Sequence, residues 1–169
     1  MPARPHWWPA YIGIGSNLDT PEAHVRRAFD DLAALRDSRC MARSALYRSA
    51  PLGPAAQPDY INAVAGLLTQ LPASALLAEL QRIEHAHGRR RTGERWGPRK
   101  LDLDLLVYAG ERRDTPRLSL PHPRIAERNF VLLPLAEIAP HLEVPGLGSV
   151  TTLCGSVQRE HPPIEPLDR

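Results

Sequence analysis

The segment RRRTGERWGPRKLDLDLLVY, Arg89 to Tyr108, joins a basic, glycine-containing loop to an apolar strand that carries two aspartates. Successive side chains of a strand point to opposite faces, so Asp102 and Asp104 share one face and the neighbouring leucines share the other. Their Cα atoms would lie about 6.6 Å apart, and carboxylates so close repel each other unless a cation or a proton lies between them. Because carboxylates are the hard oxygen ligands that Mg²⁺ takes, the pair predicts a site for divalent ions, with spacing suited to two of them.

The loop before the aspartates is rich in cations and holds a single acid, Glu94. The cations are Arg89, Arg90, Arg91, Arg95, Arg99 and Lys100. An arginine run is more often a solvated loop or a nucleic-acid patch, and D-x-D alone is a weak metal motif. A solvated loop does not explain aspartates inside an apolar strand, where an unpaired charge is costly. Cations beside a carboxylate pair therefore indicate one ligand for both, a polyphosphate.

Length and composition favour one globular domain over residues 1–169, since 43% of the residues are hydrophobic. The net charge of +2 gives no general argument for nucleic acid, because the basicity is local. Cys40 and Cys154 lack metal-site spacing and are expected to be free thiols in a reducing compartment. The N-terminus lacks the apolar run of a signal peptide, and the uncharged stretch 60–78 is interrupted by polar residues and proline. We expect a soluble, cytoplasmic protein.

Hydrophobic periodicity and turn residues predict an alternation of strands and helices along the chain. The order β-α-β-β-α-β, then a smaller β/α tail with a frayed end, predicts an α+β, ferredoxin-like sandwich, a mainly antiparallel sheet with helices on one face. The predicted elements are a strand over Ala10–Gly15, a helix entered through a Thr20 cap and Pro21, a strand over Cys40–Tyr47, a loop over Ala50–Asp59, a strand over Tyr60–Leu71, a helix over Ala73–Ala86, the aspartate strand, a short strand over Pro116–Leu120, and helices over Phe130–Ile138 and Val150–Val157.

Five stretches of the chain resemble the 6-hydroxymethyl-7,8-dihydropterin pyrophosphokinase family of folate biosynthesis, in family order and over nearly the whole sequence. They are YIGIGSNL (Tyr11–Leu18), PLGPAAQPDYINAV (Pro51–Val64), RIEHAHGRRR (Arg82–Arg91), ERWGPRKLDLDLL (Glu94–Leu106) and LPHPRIAERNFVLLPLAEIAP (Leu120–Pro140). Thr92 and Pro123 depart from the family pattern, which often has a lysine and a tyrosine there, but neither departure removes a metal ligand or a pterin contact.

The resemblance implies transfer of pyrophosphate from ATP to the pterin hydroxymethyl group, giving AMP and the pterin diphosphate, with two Mg²⁺ ions on Asp102 and Asp104. It implies catalytic roles for these aspartates and for Arg89 and Arg99. The implied pterin contacts are Ala50, Leu52, Gly53, Tyr60, Asn62, Trp96 and Phe130. The implied nucleotide contacts are Gln81, Glu84, Arg91, Trp96, Leu105, Arg117, Ser119, His122 and Arg128. The expected partners are ATP and the pterin, with no nucleic acid and no membrane, and the expected state is a monomer.

Several of these residues have simpler interpretations when the resemblance is set aside. Glu84 falls inside the apolar stripe of its helix and could form a salt bridge with an arginine of the next loop. Tyr60 and Phe130 could be ordinary core residues, and His122 could belong to a surface turn. Two other functions share single features: a ferredoxin-like RNA-binding module, which would need aromatic and basic residues across its sheet, and a metal-dependent phosphohydrolase or nuclease, which would need only the aspartates.

Overall fold

The computed structural model describes residues 2–52, 56–88, 100–157 and 161–167, which form a central antiparallel sheet with helices against it. In chain order the elements are β1 (Trp8–Ser16), α1 (Pro21–Ala33), β2 (Ser38–Arg43), β3 (Tyr47–Ser49), β4 (Tyr60–Thr69), α2 (Ala73–Ala86), β5 (Asp102–Tyr108), β6 (Arg113–Asp114), β7 (Ser119–Leu120), a 3₁₀ turn (Ile125–Glu127), α3 (Asn129–Ile138), β8 (Glu143–Val144), β9 (Gly148–Ser149), α4 (Val150–Ser156) and β10 (Ile164–Pro166). The main sheet has the order β10-β3-β4-β1-β5, and β2 also pairs with β4.

β1 lies between β4 and β5 in the sheet and is antiparallel to both. Gly15 of β1 pairs with Asn62 on one side and with Asp102 on the other, and Gly13 pairs with Asp104. Because glycine carries no side chain, Leu106 packs directly over Gly13, and the side chains of Asn62 and Tyr60 approach Gly15 from β4. The register between β1 and β5 shifts between Tyr11 and Ile12, which is a β-bulge in β5.

Helices cover both faces of the sheet, so the prediction that they pack on one face is wrong for part of the chain. α1 and α2 bury their apolar stripes with Ile12, Ile14 and Leu103 in one core cluster. α3 and α4 form a second cluster with Val64 and Leu106, whose side chains point to the opposite face. The predicted helices and strands are otherwise found, with ends that differ by a few residues.

The predicted strand Cys40–Tyr47 is two strands, β2 and β3, separated by residues 44–46. Ser44 keeps the connection to β4, since its N–H donates to Val64 O (2.9 Å) and its Oγ accepts from Val64 N (2.8 Å). The N–H of Ala45 instead donates to the Glu137 carboxylate of α3, at 3.0 and 3.1 Å from its two oxygens. The Glu137 carboxylate thus accepts the hydrogen bond of a backbone N–H that has no strand partner at the break.

Two smaller predictions about the chain's ends and caps also need correction. Pro21 begins α1 as predicted, but Thr20 has a left-handed backbone (φ 61°) and its side chain makes no capping hydrogen bond. The end of the chain is not frayed over residues 164–166, since β10 pairs antiparallel with β3. Among the described residues, none lies in a helix both long and apolar enough to cross a bilayer.

Candidate active site

A cleft of about 380 Å³ opens on the α3 face of the sheet, over the glycine end of β1. It brings together nine residues that the sequence proposed for the site. They are Ala50, Leu52, Tyr60, Asn62, Asp102, Asp104, His122, Arg128 and Phe130. These residues come from five separate parts of the chain, and the sheet register places the acidic and amide side chains on either side of Gly15.

Asp102 and Asp104 project from β5 into this cleft, half-buried, while Leu103 between them is buried in the core. The predicted alternation is therefore confirmed. Nη1 of Arg128 lies 3.8 Å from Oδ2 of Asp104, which places a positive charge next to this carboxylate. No group of three or more acidic, His or Cys side chains suited to a metal is found among the described residues, so the pair would leave most coordination positions of Mg²⁺ to water and phosphate oxygens.

Glu84 supports the aspartate strand from the side of α2. Its side chain is buried, with 4% of the residue exposed, and its Oε2 accepts a 2.9 Å hydrogen bond from the backbone N–H of Leu103. Within the described part of the chain β5 is the last strand of the sheet, and this N–H has no strand partner there. The carboxylate therefore fixes the backbone between Asp102 and Asp104.

His122 and Arg128 line the cleft beside the aspartates. The His122 backbone N–H donates to Leu106 O (2.8 Å), and the Arg124 N–H donates to His122 Nδ1 (3.2 Å), which places the proton of the neutral ring on Nε2. Burial, with a further contribution from Arg128, lowers the pKa of His122 from 6.5 to about 4, against the opposing effect of Asp102. The imidazole is therefore neutral at pH 7 and presents an N–H donor. Burial also lowers the pKa of Arg128, and Asp104 opposes that shift.

The other end of the cleft combines an amide with aromatic rings. Asn62 is 5% exposed, and its Nδ2 donates to Ser49 Oγ at 2.8 Å, which fixes the orientation of the amide. A Cβ added to Gly15 would lie 3.5 Å from Asn62 Oδ1, so glycine leaves this oxygen uncovered. Tyr60 and Phe130 are half-buried and line the same space. This end offers a flat, partly apolar slot with one oriented amide, which suits a planar heterocycle with polar edges.

Five predicted nucleotide contacts lie outside the lining of this cleft: Gln81, Glu84, Leu105, Arg117 and Ser119. Leu105 is buried in the core on the opposite face, Gln81 and Arg117 are exposed, and Ser119 is half-buried on β7. Gly53, Arg89, Arg91, Trp96 and Arg99 are outside the described residues, as is Thr92. The sequence did not single out Ser49 and Arg124 as lining residues; Arg124 directly follows the P-H-P segment, whereas Ser49 carries no recognisable signal.

Comparison with known proteins identifies the family to which the chain is similar. Residues 11–140 match the family model described as 7,8-dihydro-6-hydroxymethylpterin-pyrophosphokinase (HPPK). Relatives of the chain carry the name 2-amino-4-hydroxy-6-hydroxymethyldihydropteridine pyrophosphokinase. The protein from Haemophilus influenzae is 46% identical, and the match covers 85% of this chain and 89% of the relative. The protein from Pseudomonas aeruginosa is 47% identical, and the match covers 80% of this chain and 83% of the relative.

Similar solved structures include Plasmodium falciparum HPPK-DHPS, wild type with pteroate, with a TM-score of 0.70 over 92% of this chain at 11% identity. Another is an HPPK-DHPS in complex with substrates, with a TM-score of 0.69 at 12% identity. The chain spans 43% of the length of each, so these likenesses concern the fold alone. Because the family model matches most of the sequence and close relatives match along nearly their whole length, the chain belongs to the 7,8-dihydro-6-hydroxymethylpterin-pyrophosphokinase family.

Proposed function

We propose that this protein is a 2-amino-4-hydroxy-6-hydroxymethyldihydropteridine pyrophosphokinase of folate biosynthesis. It transfers the pyrophosphoryl group of ATP to the hydroxymethyl oxygen of 6-hydroxymethyl-7,8-dihydropterin. The observation that carries the proposal is the sharing of one cleft by the Asp102–Asp104 pair and by the slot around Asn62. A metal-dependent phosphoryl site and a pocket for a planar heterocycle are the two parts that this reaction requires, and relatives 46% and 47% identical carry this name.

Asp102 and Asp104 are the proposed ligands of Mg²⁺, with two ions expected. The metal would neutralise charge on the polyphosphate while it is transferred. The chain's own residues position the groups: His122 donates from Nε2 and Arg128 supplies a fixed positive charge next to Asp104. In the transfer, the pterin hydroxyl oxygen forms a bond to the β-phosphorus, and the bond from that phosphorus to the α-phosphate oxygen breaks, which releases AMP. The hydroxyl proton would pass to a carboxylate oxygen of the Asp102–Asp104 pair.

The pterin ring is proposed to lie between Tyr60 and Phe130, with its edge hydrogen-bonded to Asn62. Orientation of Asn62 by Ser49 leaves its Oδ1 and second N–H available, so the amide can accept from and donate to the heterocycle. Backbone groups of Ala50, Leu52 and Gly53 would complete this end. Their role in binding rests on the family motif and on the position of Ala50 and Leu52 in the cleft wall.

The remaining assignments follow from the family motif. Arg89 and Arg99 are proposed as catalytic cations, Arg91 as a phosphate ligand, and Trp96 as a lid residue over the site. The proposed nucleotide side further includes Gln81, Glu84, Leu105, Arg117 and Ser119, although none of them lines the cleft, so their assignment rests on the family motif alone.

The proposed architecture is a single ferredoxin-like domain with a small C-terminal extension. The protein is proposed to act as a monomer. The strand order β3-β4-β1-β5, with antiparallel pairing throughout, supports the ferredoxin-like arrangement. The proposed compartment is the cytoplasm, where the free thiols Cys40 and Cys154 stay reduced.

Product analysis by ³¹P NMR tests the proposed function. The protein is incubated with MgATP, with and without 6-hydroxymethyl-7,8-dihydropterin, and Asp104→Asn serves as the matched control. We expect AMP and an equal amount of pterin diphosphate only when the pterin is present, and neither product from the variant. ADP and phosphate in both wild-type samples would instead identify a phosphohydrolase with the same aspartate pair.

A further inference from the structure

The C-terminal segment 161–167 lies against the pterin end of the cleft, although it falls outside the residues matched by the family model. Its strand β10 pairs with β3, with Ile164 opposite Ser49. Beside this pairing, the Ala50 N–H donates to Pro163 O at 3.1 Å, and the Leu167 N–H donates to Leu46 O at 2.9 Å. The segment therefore holds the backbone of the cleft wall that contains Ser49 and Ala50.

The same segment also holds the opposite wall. Asn129, the first residue of α3, is fully buried, and its Nδ2 donates to Pro162 O at 2.8 Å. Asn129 directly precedes Phe130, which lines the cleft. The carbonyls of two consecutive prolines, Pro162 and Pro163, thus bind one wall each, and the distance between the walls depends on this short connection.

The pairing of β10 with β3 also affects the Asn62 side-chain amide. Ser49 pairs with Ile164 through the backbone, while its Oγ accepts the hydrogen bond from Asn62 Nδ2. Three groups proposed for the pterin are thus connected to the tail. Ala50 is hydrogen-bonded to Pro163, Asn62 is hydrogen-bonded to Ser49, which pairs with Ile164, and Phe130 directly follows Asn129.

We propose that residues 162–164, anchored by Asn129, form a clamp that sets the width of the pterin slot and so determines affinity for the heterocycle. Asn129 acts as a positioning residue, since its side chain donates to the tail and does not line the cleft. This inference rests on the proposed pyrophosphokinase function. Arg128 of the nucleotide side also adjoins Asn129, but its 3.8 Å ion pair with Asp104 holds it independently of the tail. The clamp holds both walls of the pterin slot, so loosening it changes pterin binding more than ATP binding or the transfer step.

The test compares wild type with Asn129→Ala and Asn129→Asp, the second of which keeps the side-chain shape but loses the N–H donor. The first readout needs no substrate: hydrogen exchange of the Ala50 amide should accelerate at least about tenfold in both variants. The second is kinetic: KM for the pterin should rise between about threefold and tenfold, the size expected for one lost buried hydrogen bond, with KM for ATP and kcat within about twofold. Arg48→Ala is the matched control, because it removes an exposed 3.6 Å ion pair between Arg48 of β3 and Glu165 of β10 and leaves the hydrogen bonds of the clamp in place.

Unchanged Ala50 exchange, or faster exchange with an unchanged KM for the pterin, would overturn the proposal. A lower midpoint of thermal unfolding with normal KM values would show that Asn129 serves the fold alone. If the Asn129 variants fail to fold, Leu167→Pro is the second variant. It removes the outermost hydrogen bond of the tail, together with the partly buried Leu167 side chain, and should shift both readouts in the same direction. Absence of pterin turnover in the wild type would refute the proposed function, whereas the exchange result would still test the clamp.

Discussion

Acid should destabilise the folded protein through His122, because the folded state resists protonation of this ring. Its pKa is lowered from 6.5 to about 4, chiefly by burial and then by the charge of Arg128. Its Nδ1 already accepts the N–H of Arg124 at 3.2 Å, so a second ring proton would break that hydrogen bond. Between these two pKa values the unfolded chain binds a proton that the folded chain does not. Stability from this residue is therefore fully present above pH 6.5 and is lost as the pH falls toward 4.

The size of the effect follows from the two pKa values. The gap between 6.5 and about 4 is worth at most about 3.4 kcal/mol once it is fully expressed. Proton linkage lowers the free energy of unfolding by about 0.8 kcal/mol at pH 6 and by about 2 kcal/mol at pH 5, relative to its value at high pH. A loss of that size is a sizeable part of the stability of an ordinary domain.

Urea unfolding at pH 7.5 and pH 5.0, with EDTA present, measures this loss in wild type and in His122→Gln. We expect the free energy of unfolding to fall by about 2 kcal/mol more in the wild type than in the variant. The comparison with the variant is needed because burial, with a further contribution from His87, also lowers the pKa of His24, which gives a loss of the same sign. Equal pH dependence in the two proteins would show that His122 is not held neutral by its surroundings.

Three further predictions concern the site and the core. Asp104→Asn should abolish MgATP-dependent turnover while the protein stays folded, since the lost ion pair with Arg128 is offset by removal of one of two neighbouring carboxylates that repel each other; near-normal turnover would refute the metal assignment. Asn62→Ala should weaken pterin binding by about 1–3 kcal/mol in a calorimetric titration and leave ATP binding unchanged, and unaltered pterin affinity would remove Asn62 from the pocket. Tyr108→Phe should cost about 0.5–1.5 kcal/mol of unfolding free energy, through the lost 2.6 Å hydrogen bond to Leu71 O, with normal kinetics; a kinetic defect would contradict its purely structural role.

The sequence predicted the aspartate strand well because its first half alternates strictly. Leu103 and Leu105 are buried on one face, and the aspartates lie on the other. The second half is apolar throughout, so alternation no longer indicates which side chain faces which layer. Leu106 and Val107 both pack in the α3 cluster, which requires the bulge in β5. The position of such a bulge cannot be predicted from the sequence, because a run of apolar residues has no alternation that the bulge would interrupt.

Tertiary partners that are distant in sequence account for the other differences. The break at Ala45 is stabilised by Glu137, which is 92 residues away. The strand Ile164–Pro166 is short and contains a proline, and only its pairing with β3 makes it a strand. The helix Asn129–Ile138 is so apolar that its sequence predicts burial without indicating the face of the sheet that it covers.

The location of the cleft nevertheless follows from a pattern in three strands. On the α3 face, β4 changes from Val64 to Asn62, and β5 changes from Leu106 to Asp104. In β1 the corresponding change is from Tyr11, which packs against the α3 cluster, to glycine. The apolar ends of the three strands lie side by side and are covered by α3, so the polar ends must also lie side by side and remain uncovered. A change from apolar to polar or glycine residues along one face of adjacent strands thus marks where a packed sheet becomes a binding surface, and here it separates the core from the proposed site.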